Sequence, residues 1–189
     1  KNVATDHPGQ TATFRRAVAD WRDEVLAGYD NDERPFLVGH PDAPWTQVPA
    51  RDGIAHGNIK RSNRFPNCSF FSNWTDIDDR ITWDVEVVTE GEFEVELYYA
   101  CRAADVGAVV ELSFNGSKLV KQIDVANDPP LRGAENDRVK RIESYVKEFK
   151  PMRMGKISLP AGPGELKLKA LKIPGSQALD FRMLMLKRV

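Results

Sequence analysis

Only two cysteines, Cys68 and Cys101, and three histidines occur in the whole chain. Neither cysteine stands in a CxxC pair or beside a histidine, so a zinc knuckle is excluded. His7, His40 and His56 all fall in the first third and show no HxxxH spacing, which leaves no metalloprotease-type site. No apolar run approaches the roughly 20 residues a membrane helix needs, so no membrane partner is expected. GxSxG, GxxxxGK[ST] and GxGxxG are also absent, which removes the common signatures of serine hydrolases and of phosphate or dinucleotide binding. The chain begins at Lys1 without a methionine or a leader and is read as a piece of a longer protein, so its destination is not encoded here.

What is present is mostly scaffold. The hydrophobic fraction of 41% and the charged fraction of 29% are those of an ordinary globular domain. The net charge of −1 hides a split. Residues 76–111 carry eleven acidic and two basic side chains, whereas residues 138–189 carry four acidic and thirteen basic. Two readings follow: a surface for an anionic partner, or lysines such as Lys167 and Lys169 paired across a sheet with Glu92, Glu94 and Glu96. No aromatics interleave the lysines, so nucleic acid is not expected as a partner. Cys68 and Cys101 can form one disulfide in an oxidising compartment, or Cys101 can be a buried free thiol, since it falls on the apolar phase of a strand.

The periodicities divide the chain into three. Residues 1–30 hold one helix, with Phe14, Val18, Trp21 and Val25 forming an apolar stripe, Thr11 or Thr13 as cap and Gly28 at the end. That stripe needs a cover, either a sheet downstream or another domain. Residues 31–66, rich in Pro, Gly, Asp and His, read as an irregular connector. From residue 67 on the period becomes two. Ile81, Trp83, Val85 and Val87 face inward, as do Phe93, Val95, Leu97, Tyr99 and Cys101, with turns at "TEG", "AADVG" and "NGS". Residues 127–150 form a polar excursion with possible helix in "ENDRVKRIESYVKEF". The fold class is mainly β: an antiparallel β-sandwich or jelly roll with one N-terminal amphipathic helix.

The order "ITWDVEVVTEGEFEVELYYACRAADVGAVVELSFNG", "ISLPAGPGELKLKAL", "ALDFRMLMLKRV" resembles the galactose-binding-like, carbohydrate-binding jelly rolls. Glu90-Gly91-Glu92-Phe93, Asn115-Gly116, Leu159-Pro160-Ala161-Gly162 and Asp180-Phe181 carry that resemblance, which covers residues 67–189. A second, narrower one lies upstream. "FRRAVADWRDEV", "RPFLVGH", "TQVPARDG" and "NCSFFSNWTDIDDRITWDV" are similar to the C-terminal end of bacterial sulfatases of the arylsulfatase or N-acetylgalactosamine-6-sulfatase type. This implies an accessory domain whose partners are a sulfatase catalytic domain and a polysaccharide, sulfated in that case, in the periplasm or outside the cell. The nucleophile of such enzymes, a Cys or Ser in C/S-x-P/A-x-R, is missing: Cys101 is followed by Arg-Ala-Ala-Asp and Cys68 by Ser-Phe-Phe-Ser. The expected role is therefore non-catalytic, with an independent carbohydrate-binding module and a purely structural or interaction domain as alternatives.

Sugar recognition wants an aromatic face with polar side chains around it. Trp83 and Trp21 fall on core phases, so the loop residues Trp45, Asn73 and Trp74 are the candidates. The competing reading of Trp74 is that it pins its loop to the sandwich. Asp76, Asp78 and Asp79 can offer calcium several oxygens from one loop, although without the spacing of a full calcium loop. The jelly-roll resemblance implies a structural calcium at Asp180 as well, but the glutamate that accompanies it near the start of such domains is not evident.

Overall fold

Alternation of the predicted kind builds the β unit of the computed structural model, which describes residues 2–29, 34–65, 67–141 and 145–189. The chain divides into two units, Lys1–Arg34 and Pro35–Val189. The first contains helix α1, Pro8–Leu26. Proline at its first position supplies a preset φ and an amide that needs no partner. The predicted threonine caps do not form. The helix starts one turn earlier, Thr11 Oγ1 donates to the Ala4 carbonyl at 3.0 Å, and Thr13 Oγ1 donates to the Gly9 carbonyl at 3.1 Å. Gly28 follows the helix at φ 86°, as expected of a terminating glycine. No residue of α1 is buried, and Trp21, expected in a core, is 62% exposed.

The second unit is a sandwich of two sheets. Its strands are β1 (Phe36–Val38), β2 (Trp45–Pro49), β3 (Ile54–His56), β4 (Lys60–Arg61), β5 (Phe71–Ser72), β6 (Arg80–Val87), β7 (Gly91–Ala100), β8 (Val109–Phe114), β9 (Ser117–Gln122), β10 (Lys150–Leu159), β11 (Gly162–Lys172) and β12 (Asp180–Arg188). One sheet runs β1-β6-β11-β8-β9, with β3 also on β6; the other runs β10-β7-β12-β5-β4, with β2 also on β12. All pairings are antiparallel except β1 with β6. The inner phases of β6 and β7 are buried as predicted, and they meet Leu112, Leu166, Leu168, Leu184 and Leu186 in one core. Trp83 packs edge-on against Phe181 at 5.6 Å and donates its Nε1–H to the Pro49 carbonyl at 3.0 Å.

Three expectations need correction. The supposed connector supplies β1 to β4, because strands of two to five residues are too short to display a period. Residues 30–33 and 66 lie outside the described residues. Among the described residues, the 127–150 excursion contains a 3₁₀ turn at Ala134–Asn136 and a bridge between Arg132 and Val146, and no α-helix. Residues 142–144 fall outside the description. Lys167 and Lys169 lie on β11, in the other sheet from the glutamate row, and Lys169 pairs with Glu111 at 3.7 Å. Glu92 and Glu96 instead meet Lys156 at 2.8 Å and Arg153 at 3.8 Å. The acidic and basic halves do neutralise one another, but β10 serves the glutamate row and β11 serves Glu111.

Candidate functional site

The outer face of the second sheet carries an exposed aromatic residue inside a grid of charges. Outward positions on neighbouring strands fall into rows, because antiparallel register sets them side by side. In one row Lys156 of β10 faces Glu94 of β7, Glu94 faces Lys187 of β12, and Lys187 faces Trp45 of β2. In the next, Arg153 faces Glu96, Glu96 faces Met185, and Met185 faces Gln47. Trp45, Glu94, Glu96, Arg153, Lys156 and Lys187 line an open cleft of about 180 Å³. That volume is below the few hundred Å³ of a pocket that encloses its ligand, so the cleft is a shallow surface depression. Trp45 is 49% exposed, and the Lys187 ammonium sits 5.3 Å from its ring centroid. This cation–π contact ties the indole to β12. Arg153 extends into solvent, its side chain 92% exposed.

The other predicted sugar ligands do not join Trp45. Trp74 is 1% exposed and belongs to the core, so it has no ring face to offer. Its carbonyl accepts the Ala178 N–H at 2.8 Å, and its Nε1 has no hydrogen-bond partner among the described residues. The buried indole contributes about 4–6 kcal/mol at 25 cal/mol per Å². That exceeds the ~1–3 kcal/mol of an unmade bond, so anchoring wins. Asn73 adopts φ 58° and donates Nδ2–H to the Asn58 carbonyl at 2.7 Å, a loop-fastening bond.

Two of the three calcium ligands predicted in this loop, Asp76 and Asp79, are occupied by backbone amides. Asp79, 3% exposed, accepts the backbone N–H of Asn58 at 2.8 Å, Thr75 at 3.2 Å and Asp76 at 3.0 Å. Asp76 accepts the Asp78 N–H at 2.9 Å, which makes an Asx turn rather than a coordination shell. Among the described residues no three His, Cys, Asp or Glu side chains converge as a metal site.

At Asp180 the position that the resemblance assigns to calcium holds an ammonium group. Lys147 Nζ lies 2.8 Å from Asp180 Oδ2 and 3.9 Å from Asp128 Oδ1, while Gln177 Nε2 donates to Asp180 Oδ1 at 3.3 Å. A fixed cation inside the ligand sphere repels a second one, so these residues do not fit calcium. A chelator is accordingly expected to leave the thermal midpoint unchanged. Lys147→Met, which strips a mostly buried carboxylate of its cation, is expected to lower stability by about 2 kcal/mol. A calcium-dependent rise in the midpoint of the unmutated protein would refute this account.

The thiols are unpaired: Cys68 is partly exposed and Cys101 is buried. Burial, and then the nearby Asp105 carboxylate, pushes the Cys101 thiol up to about 11, the reverse of what a nucleophile requires. The residues that the sequence did not single out as a site are Lys187, Arg153, Glu94 and Glu96. Their outward phase was readable, but their alignment with Trp45 depends on pairings between strands far apart in the chain.

No family model and no curated protein matches the chain. Solved structures do. A family 35 carbohydrate-binding module from Clostridium thermocellum superposes with a TM-score of 0.53 at 12% identity, over 78% of this chain and 100% of that one. A β-1,3-glucan-binding family 6 module from Bacillus halodurans gives 0.53 at 11% identity, over 82% and 99%. The fold is that of the carbohydrate-binding jelly rolls. The GH26-CBM35 β-(1,4)-mannanase of Podospora anserina gives 0.54 at 12% identity, over 77% of this chain but only 28% of the mannanase. At such identities the likeness is one of architecture.

Proposed function

We propose that the sandwich is a non-catalytic carbohydrate-binding domain that lays a polysaccharide across the outer face of its second sheet. The observation that carries this reading is Trp45: an indole, half exposed on a sheet face, in a cleft lined also by charged side chains that can bond hydroxyl groups. Its ring offers the apolar platform on which the C–H face of a pyranose packs. The likeness of fold to isolated binding modules supports the same reading. So does the employment of the buried carboxylates of Asp79, Asp105 and Asp180 in hydrogen bonds and ion pairs of the scaffold.

The partner in this reading is the catalytic domain of a polysaccharide-active enzyme, outside the cytoplasm where such polymers lie. The resemblance of residues 14–25, 34–53 and 67–85 to the end of bacterial sulfatases is what names a sulfatase for that role. Sulfate release by the full-length parent, and none by this chain, is the corresponding assay result.

The direct test is titration of the chain with a panel of oligosaccharides before and after Trp45→Ala. Loss of the stacking face is expected to weaken binding at least tenfold, about 1.4 kcal/mol, as for truncated aromatic anchors elsewhere. The thermal midpoint should hardly move, because the removed ring is half in water already. Undiminished affinity in the variant removes the site from consideration.

A further inference from the structure

The charges of the Trp45 cleft alternate in sign from strand to strand: a line of glutamates along β7 stands between cations of β10 and Lys187 of β12. Lys156 and Lys187 flank Glu94, and Arg153 faces Glu96. Lys156 is bonded to Glu92 at 2.8 Å, and Arg153 lies 3.8 Å from Glu96. Of the three cations that line the cleft, Arg153 thus lies near Glu96 and Lys156 is bonded to Glu92 just outside it, while Lys187 stands directly opposite Glu94. This differs from a surface built for polyanions, where cations cluster without adjacent carboxylates and their summed field draws the ligand in.

The chemistry of the two ligand classes makes the difference matter. A hydroxyl both donates and accepts a hydrogen bond, whereas an ammonium or guanidinium only donates and a carboxylate only accepts. Cations on either side of a carboxylate strand give a sugar laid across the strands both kinds of neighbour. A sulfate group only accepts. Placed on Lys187 it lands beside Glu94, the directly opposite residue, and placed on Arg153 it lands beside Glu96. Each attraction is then offset by a repulsion at similar range. From Lys156 to Trp45 the row crosses three inter-strand steps, about 14 Å, which is a segment of a chain rather than one ring.

Resting on the reading of this cleft as the glycan site, we propose that it selects uncharged polysaccharide and discriminates against sulfated polysaccharide. This holds even if the attached catalytic domain acts on sulfate esters.

The experiment uses matched pairs: a neutral β-glucan, xylan, galactan and mannan, each beside its chemically sulfated counterpart, with the full chain in affinity electrophoresis and calorimetry. At least one neutral polymer is expected to bind, with affinity constant within about twofold between roughly 50 and 500 mM NaCl. Its sulfated counterpart is expected to bind at least ~tenfold more weakly. Glu94→Lys combined with Glu96→Lys, both on the solvent side of the sheet, should swing the preference toward the sulfated polymer with a steep salt dependence. Equal or tighter binding of a sulfated polymer to the unmutated chain, lost in Trp45→Ala, overturns the selectivity and leaves the glycan site standing. Absence of binding to every polymer, or binding that Trp45→Ala leaves intact, removes the site itself and the selectivity with it.

Discussion

Gly57→Ala is expected to destabilise the sandwich by about 3–5 kcal/mol, near the upper end for a single substitution. Gly57 turns the chain between β3 and β4 at φ 77°, where a side chain costs roughly 1–2 kcal/mol. A Cβ there would stand 1.9 Å from Asp79 Oδ1. A flexible carboxylate could step aside, but this one is buried and holds the amides of Asn58, Thr75 and Asp76. Moving it forfeits charge-assisted bonds of ~1.5–3 kcal/mol each, or strands the amides. Chemical denaturation supplies the measurement, and a double-mutant cycle supplies the cause. In an Asp79→Ala background the same glycine change should cost only the backbone share, about 1–2 kcal/mol. Full additivity would show that Asp79 is not what the new methyl group meets.

Asp105→Ala should lower stability by about 3–4 kcal/mol, through a second fastening of the same kind. Asp105 is fully buried in the 3₁₀ turn Ala103–Asp105 that follows β7 and accepts Arg102 Nε–H at 2.7 Å, the Ser176 amide at 2.7 Å and the Gln177 amide at 3.3 Å. It thereby ties the turn after β7 to the loop that leads into β12. The alanine leaves both amides without a partner, while the half-exposed Arg102 simply returns to water. Asp105→Asn separates charge from shape, since an amide presents N–H where the loop already supplies donors. Burial by itself raises the Asp105 pKa, but the hydrogen bonds from Arg102, Ser176 and Gln177 outweigh it and hold the carboxyl below its usual range. The folded value then lies under the unfolded one, near 4, so this stabilisation is complete above that pH and disappears as pH falls through the folded value. Urea midpoints at pH 7 and in strong acid should therefore differ more for the unmutated protein than for Asp105→Asn. Equal differences would mean that the carboxylate charge contributes nothing.

Both predictions concern residues of the kind that invite a functional reading. Paired and clustered aspartates look like metal ligands or acid–base groups in a one-dimensional reading, yet here they substitute for missing secondary structure by bonding loop amides. Asp180 makes the same point with Lys147. Trp74 and Trp45 separate along similar lines. Both lie in irregular text, but Trp74 precedes a long central strand and is drawn under the loop. Trp45 opens a short strand paired at the far edge of β12, with its ring outward.

The sandwich itself was legible in residues 80–189. Each strand there is long enough for alternation to repeat, and the buried phases of β6, β7, β8, β11 and β12 follow from that alternation alone. Burial is a property of one strand against oil or water, so one strand's text suffices for it. The charge grid around Trp45 is different. It requires β2, β12, β7 and β10 to lie side by side, strands separated in the chain by up to more than a hundred residues. Adjacency of that kind is settled by packing of the whole core and by hydrogen bonding between ladders, neither of which leaves a local mark in the sequence. So the chain's text was enough to say that this is a shell around hydrocarbon, and only the folded molecule could say which of its outward residues share a surface.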